Sequence, residues 1–450
     1  MSARVPAVRL ALLTGLLVAI VAANAAGWLE VGGRGGSRLG PTGFALVLGL
    51  FLVTAAASWA VPSARSSLIL SASLIQLVGI HGPLNAAGSL AVWSLFYFVI
   101  LHVKAFAAKS ILVASFFAVP VLLGALDAGG PSQAILGIFF TVHFASNFVQ
   151  RSLLYAYEGT VVKKVREAGF GSYLRNLIAA PLGAINMPPV GFAILETGFS
   201  RVNPLLPMMG MRQMALGTLY LVLNHEGRRH GLLPSLDTVL GVVHHLDTLT
   251  MVTASNLVLL GLFLDLTGHI HLAIGMMRVL GFDIPAGSDR PWLSSSVLDY
   301  WRRWNTYFRD AVLALGFYPA AFALKKRPLL AVGVAGALTF ALSGALHSLS
   351  DALARPGALS ARRLIEPMIL FLAQGLLVVP LMIKEAADAR HGKGRRMASG
   401  SDQPGVAGRI KKWGLIAITM SLVSILYVLL RRPFGGTVEE TLSALATLPW

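Results

Sequence analysis

A histidine in the middle of an apolar helix is the residue best able to do chemistry in this chain. His347 lies in LTFALSGALHSLSDALA. Imidazole takes and returns a proton near neutrality, which suits it to general base work. Gly336, Ser343, Gly344, Ser350 and Asp351 stand at helical offsets from it, so its face is small and polar. Such a face lets a second helix, or a substrate, approach closely. Asp351, one turn on, could hold the ring in one tautomer. Two readings stay open on the pattern alone: a functional base, or structural glue bonded to a neighbouring helix.

The second constellation is the stretch Phe282 to Asp310, FDIPAGSDRPWLSSSVLDYWRRWNTYFRD. Ser296 stands three residues before Asp299, a variant of the capping signature, and predicts a helix start. From there the spacing predicts one helix with two faces. Tyr300, Trp301, Trp304, Tyr307 and Phe308 form an aromatic face, with Arg302, Arg303, Arg309 and both aspartates opposite and Asn305 at the seam. Such a helix suits the membrane interface, where rings bury and guanidinium groups stay wet. Asn305 can donate and accept at a carbonyl. The arginines read either as interfacial anchors or as substrate contacts.

Asp265 is the third candidate, a carboxylate inside the apolar run GLFLDLTGHIHLAIG. It is costly there unless paired or facing water. His269 and His271 are near, but two histidines two apart on a helix point to different faces and make a poor metal site. The run His244-His245-Leu246-Asp247 reads as a solvated loop. No metal is expected. No P-loop, no HExxH and no Gly-x-Ser-x-Gly elbow occurs.

The elements that must position these residues are membrane helices. Of 450 residues, 55% are hydrophobic and only 13% charged, and mean hydropathy is +0.70. Bilayer-length apolar runs recur, which predicts an all-α polytopic protein of about eleven spans. The early spans read as 42–61, 67–85, 88–108, 110–127 and 132–150. The segment 176–195 carries Pro181, Gly183, Pro188 and Pro189 and reads as re-entrant or bent. Further spans are expected at 205–224, 249–275, 329–351, 364–383 and 413–430, and 384–412 reads as a flexible basic loop. The N-terminal run Leu10–Ala22, ending in Ala23-Asn24-Ala25, resembles a signal peptide. An uncleaved first span is preferred because so many spans follow.

The formal charge is +17 and there is no cysteine. Disulfides, thiolate metal sites and a cysteine nucleophile are excluded. The basic excess is expected on loops facing anionic lipid, not on nucleic acid. Basic residues fall in alternate loops, at Arg65, at Lys104 and Lys109, and at Arg151–Arg175, which predicts a cytoplasmic N-terminus. Arg34 and Arg38 run against this pattern.

The residues FLDLTGHIHLAIGMMRVLGFDIP, then RPWL and DYWRRW, resemble the core motif of the membrane-bound O-acyltransferases. The match is best in the bacterial, alginate O-acetylase-like branch. It holds in register over about 45 residues, too many positions for a chance short motif. His347 stands where the family has its invariant histidine. Asn305 stands where the bacterial branch commonly has histidine, and Leu346 where it has tryptophan.

The resemblance implies a helical ring around a central tunnel, in one domain: N-terminal spans 1–155, an amphipathic and re-entrant region 156–248, a catalytic core 249–383, a basic loop 384–412, and a last span and tail 413–450. It implies transfer of an acyl group from acyl-CoA or an acyl carrier protein, as co-substrate, to a hydroxyl acceptor. His347 would be the base and Asn305 would orient the carbonyl. Asp351, Asp265, Trp304, Arg302, Arg303 and Arg309 would support them. The expected setting is a bacterial inner membrane, with no bound cofactor. A transporter using the same cavity, or an inactive scaffold, are the rival readings.

Overall fold

The computed structural model describes residues 4–25, 41–105, 151, 154–159, 163–178, 190–200, 203–242, 245–354, 361–391 and 406–430. The described residues are helical and carry no strand. In chain order the helices are α1 (Arg4–Ala25), α2 (Pro41–Ala60), α3 (Arg65–His81), α4 (Pro83–His102), α5 (Lys164–Ile178), α6 (Phe192–Ser200), α7 (Leu206–Arg229), α8 (Leu236–Val242) and α9 (Thr248–Val279). Then come α10 (Val297–Arg303), α11 (Thr306–Val312), a π-turn at Leu313–Phe317, α12 (Tyr318–Ala323), α13 (Pro328–Ala354), α14 (Ala361–Arg390) and α15 (Val406–Leu430).

Ala7–Ala25, Thr42–Ala60, Thr248–Val279, Pro328–Ser348, Ile365–Arg390 and Ala407–Leu430 are long and apolar enough to cross a bilayer. The chain is an all-α polytopic membrane protein. The spans expected at 110–127 and 132–150, and the four breakers of 176–195, lie outside the described residues. The basic segment 384–412 is helical at both ends, because α14 runs to Arg390 and α15 begins at Val406.

Contacts divide the chain into two units. The first comprises residues 1–226, 264–287 and 349–359. Within it, α7 packs closely against the second half of α9. Glycines seven apart on each helix face one another: a Cβ on Gly210 would lie 2.5 Å from the Gly275 carbonyl oxygen, and one on Gly217 would lie 2.7 Å from that of Gly268. The two backbones touch, as small residues allow in membranes, where apolar burial alone does not join helices. The end of α9 is closed by a Schellman turn. Gly281 sits at φ +92°, its N–H donates to Arg278 O (2.8 Å), and Phe282 N–H donates to Met277 O (3.0 Å). The buried Arg65 donates to Leu280 O and to Gly198 O, each at 2.7 Å, so these buried acceptors are satisfied.

The second unit comprises residues 227–263, 288–348 and 360–450. Its core gathers Leu259, Tyr300, Phe340, Phe371, Val378 and Val423, with Trp301 and Trp304 packed on them. Helices α13 and α14 run antiparallel. Gly333 meets Ile383, Gly336 meets Val379 and Met382, and Gly375 meets Phe340, with would-be Cβ distances of 3.0 to 3.3 Å.

The expected single helix across Asp299–Asp310 is two helices. Ser296 caps the first as predicted, its Oγ accepting from Asp299 N–H at 3.1 Å. That helix ends at Arg303, Trp304 is extended, and Asn305 turns left-handed at φ 38°, ψ 67°. Asn305 then caps the next helix, Oδ1 accepting from Phe308 N–H at 3.3 Å. Asparagine suits both demands, since it tolerates the left-handed region and is among the best N-caps. The π-turn that follows ends two residues before Pro319, whose missing N–H breaks the regular ladder.

Candidate active site

The second unit holds a cavity of about 260 Å³. Asn305 and His347 both line it, with Trp301, Trp304, Phe308 and Phe371 among the walls. On α13 the lining residues are Gly336, Thr339, Phe340, Ser343 and His347, one face at helical spacing. On α14 they are Phe371, Val378 and Met382. Broken helix α10–α11 and the π-turn close the third side.

The His347 ring turns back along α13, and Nδ1 lies 2.9 Å from Ser343 O. A carbonyl only accepts, so Nδ1 carries the proton in that contact and the neutral ring has its lone pair on Nε2. The Ser343 carbonyl, one turn before His347, thus holds Nδ1, while the Asp351 side chain lies outside the described residues. Phe308 stands edge-on to the imidazole at 4.6 Å and Phe371 lies against it at 4.5 Å, so two apolar rings fix its plane.

Asn305 reaches the same cavity because of the helix break. Its Oδ1 is engaged by Phe308 N–H, so its amide NH₂ is the group able to donate to a substrate oxygen. Phe308 thus links both candidate residues, with its amide on Asn305 and its ring on His347.

The supporting candidates have distinct places. Trp304 stacks on Tyr300 at 5.5 Å and 20°, and is half-buried. Trp301 Nε1 donates to the buried Gln374 at 3.4 Å, and its ring meets Phe340 edge-on at 5.7 Å. Arg302 forms a two-pronged ion pair with Glu385. Arg303 pairs with Asp299 at 2.8 Å. These carboxylate hydrogen bonds raise both guanidinium pKa values, so both are fixed charges. Arg309 pairs with Asp310 and also donates to Arg302 O. Arg302, Trp304 and Arg309 line the cavity, while Arg303 does not.

Asp265 belongs to the first unit. His269 Nδ1 lies 2.8 Å from its carbonyl and 3.7 Å from its carboxylate, so backbone and side chain both meet that ring. Asp247 caps α9, accepting from the Thr250 N–H at 3.0 Å and from its hydroxyl. Among the described residues no group of three or more His, Asp or Glu could hold a metal. Sequence reasoning missed Gln374 and Glu385. Neither carries a local signal, since their partners stand 73 and 83 residues away.

The chain is similar to membrane-bound O-acyltransferases. It is 28% identical over 137 residues to the probable alginate O-acetylase AlgI of Pseudomonas aeruginosa, covering 28% of this chain and 26% of the relative. It is 28% identical over 94 residues to the teichoic acid D-alanyltransferase of Bacillus subtilis, covering 20% of this chain and 24% of the relative. The matched region thus spans about a quarter of each of these curated relatives. No family model matches the chain.

Proposed function

We propose that the protein is a membrane O-acyltransferase that moves an acyl group from a thioester, acyl-CoA or an acylated carrier protein, to a hydroxyl of a glycan, lipid or small molecule. The observation that carries this reading is the shared cavity of His347 and Asn305, joined through Phe308. The names of the two relatives, an acetylase and an alanyltransferase, support the same reaction type.

His347 takes the acceptor's hydroxyl proton on Nε2 as the oxygen attacks the thioester carbonyl. A C–O bond forms, the C–S bond breaks, and the imidazolium returns the proton to the leaving thiolate. Asn305 NH₂ donates to the carbonyl oxygen as it gains charge; losing one such donor typically costs about 100- to 1000-fold in rate. No metal is required. Asp351 and Asp265 remain supporting candidates. The protein sits in a bacterial inner membrane with its N-terminus and basic loops in the cytoplasm, on the donor's side.

Purified protein should consume acyl thioester and acylate an added hydroxyl acceptor. His347→Gln keeps hydrogen bonding but cannot serve as the base in this step, so turnover should be abolished. Wild-type turnover by His347→Gln would make the histidine structural and sink this mechanism. A transporter would move substrate without breaking the thioester.

A further inference from the structure

We infer that the basic ends of α13, α14 and α15 bind the phosphates of anionic phospholipid headgroups, and that this contact fixes the short helix α12 beside the cavity. The lipid binding stands apart from the catalytic reading, and its effect on turnover rests on it.

Three basic segments, distant in sequence, meet at one end of the second unit. Lys325, Lys326 and Arg327 directly precede the span that begins at Pro328, and Lys384 and Arg390 lie at the close of the next span. Those two helices run antiparallel, with Gly333 against Ile383, so the two segments share an end. Residues 391–405 are too few to cross a bilayer, which takes about 20. The following span therefore enters from the same side, carrying Arg409, Lys411 and Lys412 in its first turns. All of these cations are exposed. The carboxylates in the same three segments are Asp388 and Glu385, and Glu385 holds Arg302.

Apolar side chains are interleaved with the charges. Phe322 is 71% exposed and Tyr318 53%, just before the first segment, and Ile410 and Trp413 are 68% and 60% exposed within the third. Lys325 Nζ lies 4.6 Å from the Phe322 ring centroid. An acidic protein docking from water would meet the charges and leave these rings wet. At a bilayer surface the rings bury below the headgroups while lysine and arginine reach the phosphates. Each such cation strengthens binding to an anionic surface by roughly fivefold.

Helix α12 links this patch to the site. It has no buried residue. The elements before it do: α11 buries Tyr307, Phe308, Ala311 and Val312, and the π-turn buries Ala314 and Gly316. The core thus holds the chain up to the π-turn and grips it only loosely until α13. A helix of six residues does not persist by itself in water. Its exposed rings and the Lys325–Arg327 turn are what remain to hold it. Leu313 and Phe317, on the π-turn that runs into α12, line the cavity. Headgroups bound to the basic turn therefore steady a wall that the core leaves loose.

The test places the purified full chain in phosphatidylcholine discs with a minor fraction of phosphatidylglycerol. Lipid retained after detergent stripping is counted by mass spectrometry. Phosphatidylglycerol should be enriched about tenfold over its bulk share. The triple variant Lys325→Gln, Lys326→Gln, Arg327→Gln should cut that enrichment at least threefold, and Lys325→Arg with Lys326→Arg should leave it unchanged. Because the chain has no cysteine, Ala323→Cys gives a single site for a nitroxide on α12. That label should be immobilised by phosphatidylglycerol, mobile in pure phosphatidylcholine, and mobile in both in the triple Gln background. Phosphatidylglycerol at its bulk share, or a label equally mobile in both lipids, overturns the inference. So does a label immobilised by an acyl carrier protein and not by phosphatidylglycerol, which would make the patch a protein dock. Neither reading needs turnover, so loss of transfer defeats the catalytic reading alone. With transfer present, phosphatidylglycerol should raise kcat several-fold in wild type and not in the triple Gln variant, and an unchanged wild-type kcat overturns the link to the cavity.

Discussion

Phe308 meets His347 edge to face, with ring centroids 4.6 Å apart and planes at 76°. The same residue gives its amide to Asn305. One side chain thus sets the imidazole plane while its own backbone sets the asparagine. Phe308→Leu should keep the helix and its cap but release the ring. A kcat loss of about tenfold, with donor KM little changed, is the expected result, as a mispositioned base would give. Unchanged kcat would show that Phe371 alone holds the ring.

Asn305 serves the backbone as well as the site, and two substitutions separate these roles. Alanine loses the cap, about 1 kcal/mol, and strains the left-handed turn by about 1–2 kcal/mol more. Glycine accepts the turn and, at a cap, costs only a few tenths. Asn305→Gly should therefore melt near wild type and well above Asn305→Ala, while both lose transfer. A stable and active Asn305→Gly protein would remove the side chain from the chemistry. Asn305→His, which restores the residue common in the bacterial branch, should retain activity.

Trp304 is held by the stack on Tyr300 and by Phe263 at 6.1 Å. Full burial of a tryptophan would make truncation to alanine cost about 3–5 kcal/mol. Since Trp304 is half-buried, the lower end of that range is expected for Trp304→Ala, and Trp304→Phe should recover most of it. Thermal unfolding in detergent measures both. A stable but inactive Trp304→Ala protein would instead place the ring on the substrate.

The contact of α7 with α9 leaves no room for side chains. A Cβ on Gly275 would lie 2.7 Å from Gly210 O, a backbone atom that cannot swing away. Gly275→Leu should prevent folding of the first unit, seen as loss of monodisperse protein on purification. Recovery of normal protein would show that the two helices can separate without cost.

Reporter fusions at Gly169 and Gly394 should both give cytoplasmic signals. Gly169 lies in α5 at φ +81°, a kink that tolerates insertion better than a regular turn. A periplasmic signal at either position would reverse the orientation and the donor side.

Six of the eleven expected spans and the Ser296 cap were legible because each depends on residues within a few turns, whereas the described helices at the expected spans 67–85, 88–108 and 205–224 are not long and apolar enough to cross a bilayer. The break at Asn305 was not legible. Tyr300, Trp304, Tyr307 and Phe308 keep helical spacing whether the backbone continues or stops and restarts, so hydrophobic period cannot see the interruption. Asparagine between Trp304 and Thr306 was the available sign, a good cap placed mid-pattern. The orientation of His347 toward Ser343 O follows from the backward tilt of helical side chains and could have been anticipated. The partners Gln374 and Glu385 could not, since only the tertiary fold brings α14 beside α10.

Helix α9 has 32 residues, so it is about 48 Å long, against a hydrocarbon thickness of about 30 Å. A helix of that length leans over, or pushes its ends into the headgroups. Its inclination then depends on how thick the surrounding lipid is. Reconstitution into a series of vesicles with lengthening acyl chains should therefore tune the protein's activity, with an optimum at one thickness. The lipid becomes a mechanical setting for the molecule as well as its solvent.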